Sequence, residues 1–120
     1  MRHKKEKKTI DRTAAGRQAL LRALCISLIK QEALNTTPVK AKVTRSMIEK
    51  MITRAKNPDT LSAVKILEKQ LGNKKAAYQL VKKIAPRFVK RTSGYTSITK
   101  LTPRKGDCAA QVRLELLTDK

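Results

Sequence analysis

The sequence has no tryptophan, one phenylalanine (Phe88), two tyrosines (Tyr78 and Tyr95) and one histidine (His3). Its core must therefore be built from Leu, Ile, Val, Met and Ala, which suits packed helices. Only two cysteines occur, Cys25 and Cys108, far apart and without C-x-x-C spacing. With a single histidine they fall short of the four ligands that a structural zinc site takes, so no metal and no other cofactor is expected. Two buried, reduced thiols are expected, which fits a reducing cytosolic compartment. Long apolar runs are missing too. The stretch from Leu20 to Ile29 is broken by Arg22 and Ser27, well short of the about 18 uninterrupted apolar residues of a membrane span. The opening Met1 to Lys8 is charged like the start of a secretory signal, yet no apolar segment of about 7–15 residues follows. The chain reads as mature soluble protein, with no membrane partner.

Acidic residues are also scarce. Nine Asp and Glu stand against 29 Lys and Arg in 120 residues, for a net charge of +20. The acids are scattered, neither cysteine has a histidine near it, and there is no G-x-x-x-x-G-K-[ST] or G-x-G-x-x-G phosphate loop. Catalysis and a small-molecule substrate are not expected, and the length suits one domain. A domain this basic repels itself and binds polyanions. A phosphate backbone is the natural counter-charge, because each Lys or Arg set against phosphate releases a condensed counterion.

Hydrophobic spacing predicts four helices and then strands. The first helix starts after Asp11 or Thr13, either of which can cap it, and buries Leu20, Leu21, Leu24, Cys25, Leu28 and Ile29, leaving Arg17, Arg22 and Lys30 outside. Ala33 to Thr37 reads as a short strand. Thr37-Pro38 starts a second helix, with Thr as cap and Pro at the first helical position, that stops at Asn57-Pro58. The third spans about Asp59 to Leu71, with Leu61, Val64, Leu67 and Leu71 inward and Gly72 as C-cap. Asn73 caps a fourth, which ends near Ala85-Pro86. Beyond Arg87 the period changes to that of strands, over Tyr95 to Leu101 and over Ala110 to Leu116, joined by a Pro- and Gly-containing loop at Thr102 to Asp107. The fold class is α+β.

The charge concentrates in two places. Residues 1–12 carry six basic and two acidic side chains, and residues 87–106 carry six basic and no acidic ones. Lys65, Lys69, Lys74 and Lys75 read as solubilising charge on helix faces, whereas Arg87, Lys90, Arg91, Lys100, Arg104 and Lys105 have no acid among them. Tyr95 either stacks on an unpaired base or packs on the sheet. His3, among Arg2, Lys4 and Lys5, suits a phosphate or base contact better than a metal, and the arm is too polar to fold without its partner. Two rivals to RNA binding remain. One is a DNA-binding module that uses the second helix, though helix-turn-helix spacing is missing. The other is a membrane-surface or chaperone-like interaction protein with a basic amphipathic helix, against which the shortage of aromatics argues.

Several motifs occur in a specific order: Met1-Arg2-His3-Lys4, Arg17-Gln18-Ala19-Leu20-Leu21-Arg22, Thr36-Thr37-Pro38-Val39-Lys40-Ala41-Lys42 through Arg45, Pro86-Arg87-Phe88, Arg91 to Gly94-Tyr95-Thr96, and Gly106-Asp107 with Ala109. In that order they resemble the family of the bacterial large-subunit ribosomal protein conventionally numbered seventeen, from Met1 to about Leu117. The resemblance implies an α-β-α-α-α-β-β fold in which Leu34 to Thr37 joins the C-terminal hairpin in a small mixed three-stranded sheet. It also implies binding to large-subunit, 23S-type ribosomal RNA near the nascent-chain exit, beside neighbouring large-subunit ribosomal proteins, in the cytoplasm. No homo-oligomer is expected. The chain departs from the family at Gly16, Ser93, Ser97 and Ala110; Ser97 replaces an arginine common there and so removes one RNA contact.

The expected organisation is a basic arm over residues 1–12, a single globular domain over 13–117 and a short tail over 118–120. The expected RNA-binding residues are Arg2, His3, Lys4, Lys5, Lys7, Lys8, Arg12, Arg17 and Arg22, then Lys40, Lys42 and Arg45. Arg87, Lys90, Arg91, Tyr95, Lys100, Arg104 and Lys105 complete the set.

Overall fold

The structure is a computed structural model that describes His3, residues 10–57 and residues 59–118. Arg2, Lys4, Lys5, Lys7 and Lys8 of the basic arm lie outside the described residues, as does the proline of the expected Asn57-Pro58 stop.

The elements follow the expected order: α1 (Ala14–Gln31), β1 (Ala33–Thr36), α2 (Pro38–Ala55), α3 (Thr60–Leu71), α4 (Lys74–Gln79), β2 (Thr96–Leu101) and β3 (Gln111–Leu116). Local chemistry accounts for most of the boundaries. Thr13, Asp59 and Asn73 each accept a backbone N–H of the first helical turn on a side-chain oxygen, which satisfies a donor the helix leaves orphaned. Thr37 extends the chain ahead of Pro38, but its hydroxyl makes no capping bond. Gly72 ends α3 in the left-handed region, at φ 67°, where a residue without Cβ carries no penalty.

The helices bury Cys25, Leu28 and Ile29 of α1, Ile48 and Ile52 of α2, and Leu67 and Leu71 of α3, against Leu114 and its neighbours on one face of the sheet. Along β3, Val112, Leu114 and Leu116 point into this core and alternate with Gln111, Arg113 and Glu115 on the other face. The sheet order is β1-β3-β2 and both pairings are antiparallel, so the sheet is not mixed. The reason is local. The chain enters β1 where β3 finishes, with Leu116 N–H donating to the Glu32 carbonyl at 2.9 Å, and the two strands must then run in opposite directions.

Three details depart from the sequence-based expectation. Leu61 is 74% exposed, because the inward line of α3 is Ala63, Leu67 and Leu71; Leu61 stands two residues, roughly 200°, around the helix from Ala63. Cys25 is buried but Cys108 is exposed. It sits in the hairpin loop with φ 51°, three residues before β3 begins. The fourth helical segment does not stop at Pro86. It continues as a π turn over Leu80–Ile84, with Ala85 N–H reaching the Leu80 carbonyl, and then as a 3₁₀ turn over Ala85–Phe88.

That π turn has a consequence for surface chemistry. Ala76-Ala77, Leu80-Val81, Ile84-Ala85 and then Phe88 are all buried and recur every four residues. A uniform α-helix of about 3.6 residues per turn would rotate such a stripe out of the core. An i→i+5 turn holds more residues per turn and brings it back. The polar pairs between them, Lys74-Lys75, Tyr78-Gln79 and Lys82-Lys83, are thereby kept together on the opposite side.

Candidate nucleic-acid interface

Strand register decides which basic residues share a surface. Thr36, Val112 and Lys100 form one row across the sheet. Two residues after Thr36 the chain enters α2 at Pro38, and two residues after Lys100 it enters the hairpin loop at Thr102. Lys40 and Lys42, in the first five residues of α2, therefore lie at the same end of the domain as Lys100, Arg104 and Lys105. Ala33, Glu115 and Ser97 form the row nearer the opposite end, where Tyr95 precedes β2. The basic run from Arg87 to Lys105 is thus divided by the six residues of β2, about 20 Å of extended chain, and serves two surfaces.

At the hairpin end, Lys42, Lys100, Arg104 and Lys105 are exposed and Lys40 is half-buried. Arg104 is not unbalanced. Its Nη2 lies 2.8 Å from Oδ2 of Asp107, and its Nε donates to Oδ1 at 3.2 Å. The Arg104 guanidinium holds the Asp107 carboxyl below the usual carboxylate range. This pair shapes the loop, since Asp107 also accepts Ala109 N–H and Arg104 N–H donates to the Ala109 carbonyl. Lys105 stands exposed between the two partners. Arg45, farther along α2, pairs with Glu49 one turn on at 3.4 Å, and the same Glu49 oxygen accepts the Thr96 hydroxyl.

At the other end, Arg87 also has an acid, which lies 55 residues earlier. Its two terminal nitrogens donate to the two Glu32 oxygens at 2.6 and 2.7 Å, a bidentate fork of the strong, charge-assisted kind. The hydrogen bond from Arg87 keeps the Glu32 carboxyl below its ordinary pKa, and Glu32 in turn raises that of Arg87. Lys90 is exposed beside this pair in sequence, and Arg91 is half-buried with Nη1 donating to the Gly94 carbonyl at 3.1 Å.

Tyr95 takes the packing alternative. It is 1% exposed, its ring lies 5.1 Å from that of Phe88, and its hydroxyl donates to the Thr92 carbonyl at 2.9 Å. Lys56, just past α2, donates to the Tyr95 hydroxyl and to the Arg91 carbonyl. No face of that ring is open to a base, because it is buried against Phe88 with the Lys56 ammonium 5.0 Å from its centroid.

In the first region, His3 and Arg12 are exposed and Arg17 is half-buried. Arg22 is not presented outward as expected: its Nε donates to the Gln70 carbonyl at 2.8 Å, tying α1 to the last turn of α3. The sequence reading passed over Tyr78, Lys82 and Lys83, which are exposed together with Lys74 and Lys75. The available signal was two lysine pairs eight residues apart, Lys74-Lys75 and Lys82-Lys83, with Tyr78 midway between them. Among the described residues no three His, Cys, Asp or Glu side chains converge as a metal centre requires.

Residues 20–117 match the family model described as Ribosomal protein L17. Over 117 residues the chain is 44% identical to the large ribosomal subunit protein bL17 of Gemmatimonas aurantiaca, with 98% of each chain covered. It is 41% identical over 119 residues to that of Campylobacter concisus, covering 99% of this chain and 100% of the relative. The corresponding protein of Petrotoga mobilis is 36% identical over 124 aligned positions, 98% of this chain and 97% of its own.

Proposed function

The chain belongs to the ribosomal protein L17 family, and on that premise we propose that it is a cytoplasmic, non-enzymatic constituent of the large ribosomal subunit that binds 23S-type ribosomal RNA near the nascent-chain exit. The observation that carries the RNA contact is the hairpin end of the domain. Lys42, Lys100 and Lys105 are exposed there, and the only acid in the loop, Asp107, is taken by Arg104. Lys90 and Arg91 at the other end give a second contact, so the domain bridges two RNA segments held apart by the length of the sheet. Residues 13–117 act as one rigid unit. The arm, with Arg2, Lys4, Lys5, Lys7 and Lys8, adds charge ahead of it, next to His3 and Arg12, and neighbouring ribosomal proteins complete the surroundings.

The test has two stages. Tagged protein in a cell lysate should sediment with the large subunit on a sucrose gradient and leave it after RNase digestion; protein that stays at the top of the gradient refutes the ribosomal role. Then the triple variant Lys42→Gln, Lys100→Gln, Lys105→Gln should bind deproteinised large-subunit RNA with a flatter salt dependence. The log–log slope should fall by about 2 to 3, at roughly 0.7–0.9 per phosphate lost. An unchanged slope removes the hairpin end from the interface.

A further inference from the structure

The exposed aromatic in this chain is Tyr78, not Tyr95. This residue of α4 is 54% exposed, and the Lys82 Nζ lies 5.7 Å from its ring centroid. The ring lines two adjoining hollows, and Lys74 and Lys82 line both. On one side lies a groove of about 280 Å³ between α3 and α4, where Leu61, Val64 and Glu68 face Tyr78. On the other side the lining is Lys74, Lys75, Lys82 and Lys83 with Gln79. Gln79 is committed to the fold, since its side-chain amide donates to the Ile29 carbonyl at 2.9 Å. Among the described residues these lysines are exposed and none forms an ion pair within 4.0 Å, although Lys83 lies near enough to Glu32 to help lower its pKa. Leu61, which the core leaves 74% exposed, stands across the groove from the ring.

We infer that Tyr78 and Leu61 hold an unpaired base of the large-subunit RNA between them, with its flanking phosphates on Lys74, Lys75, Lys82 and Lys83. The inference rests on the RNA-binding role proposed above and adds a third contact face to it. Two features select this occupant. The exposed ring, Leu61 and Val64 give one groove an apolar lining suited to a π-face, which every base has. The lysine side offers several positive charges beside the slot, and a nucleotide is the ligand that joins a flat apolar face to an adjacent anion. An acidic protein segment would meet the charge but leave the slot without a planar group. The π turn at Leu80–Ile84 belongs to the same device. By keeping the apolar pairs inward it holds Lys82 and Lys83 beside Tyr78, and π turns are concentrated at functional positions.

The full chain would be bound to transcribed large-subunit RNA, irradiated, digested with trypsin and analysed by mass spectrometry. The peptide Ala76 to Lys82 should carry a nucleotide on Tyr78. Tyr78→Ser should weaken binding about 5- to 150-fold, the range of a lost base–aromatic stack, whereas Tyr78→Phe should bind like the parent. Both variants change a half-exposed ring, and equal melting temperatures check that they fold. If the parent binds but Tyr78→Ser binds equally well and the peptide carries no nucleotide, the slot is not an RNA site and the proposed function stands. If cross-linking in whole large subunits joins that peptide to another protein, the inference is likewise overturned. Failure of the parent to bind the RNA refutes the proposed function itself.

Discussion

Arg87 is where a sequence-level assignment and a structural one give opposite signs. As a member of an acid-free basic run it should hold phosphate; in the fold it forks onto Glu32 at 2.6 and 2.7 Å. The side chains are 30% and 36% exposed, so solvent screens the pair. Its contribution falls near the upper end of the surface range, about 1 kcal/mol, because the geometry is bidentate. Glu32→Gln removes the charge and keeps the shape. It should lower stability by about 1 kcal/mol, a fall in melting temperature of roughly 4 °C for a domain of this size. It also frees Arg87, so the salt slope for RNA binding should steepen or stay level. Arg87→Ala should lower stability by a similar amount, with a slope change well below that of one phosphate. The pair also has a pH signature. Because the folded-state pKa of Glu32 is depressed, its stabilisation is complete above the unfolded value of about 4.3 and is lost as pH falls through the lower folded value. The stability difference between parent and Glu32→Gln should therefore close on acidification, which thermal unfolding at stepped pH would follow. The reasoning is refuted if Arg87→Ala leaves stability intact and flattens the slope by a full phosphate equivalent.

Two other outcomes follow from burial. Tyr95→Phe should destabilise the domain by about 1–3 kcal/mol, since it leaves the Lys56 ammonium and the Thr92 carbonyl without the hydroxyl between them, while RNA affinity measured below the unfolding transition stays unchanged; loss of affinity with no loss of stability would return Tyr95 to the interface. The buried Cys25 thiol is pushed up to about 12 by desolvation, so at pH 8 a thiolate-specific disulfide reagent should label Cys108 alone in the folded protein and both cysteines in denaturant, and rapid labelling of two thiols in the folded state would contradict this core.

The elements were legible because their signals are local. Thr13, Pro38, Asp59, Gly72 and Asn73 act within one helical turn of themselves, and the alternation from Val112 to Leu116 is a property of β3 alone. The polyanion-binding class was legible as well, since a net charge of +20 needs no coordinates. The resemblance supplied the family, and with it the joining of the short strand to the C-terminal hairpin. Other features depended on contacts between segments distant in sequence. Glu32 neutralises Arg87 across 55 residues, Gln70 accepts Arg22 across 48, and Lys56 meets Tyr95 across 39. Antiparallel register then splits one basic run between two ends of the domain and joins Lys42 to Lys105. The sequence determined how much charge this protein carries and where its helices and strands begin, because composition and capping act at short range. Only the tertiary structure decided which cations are neutralised and which share a face, because pairing and burial are properties of atoms brought together by the fold.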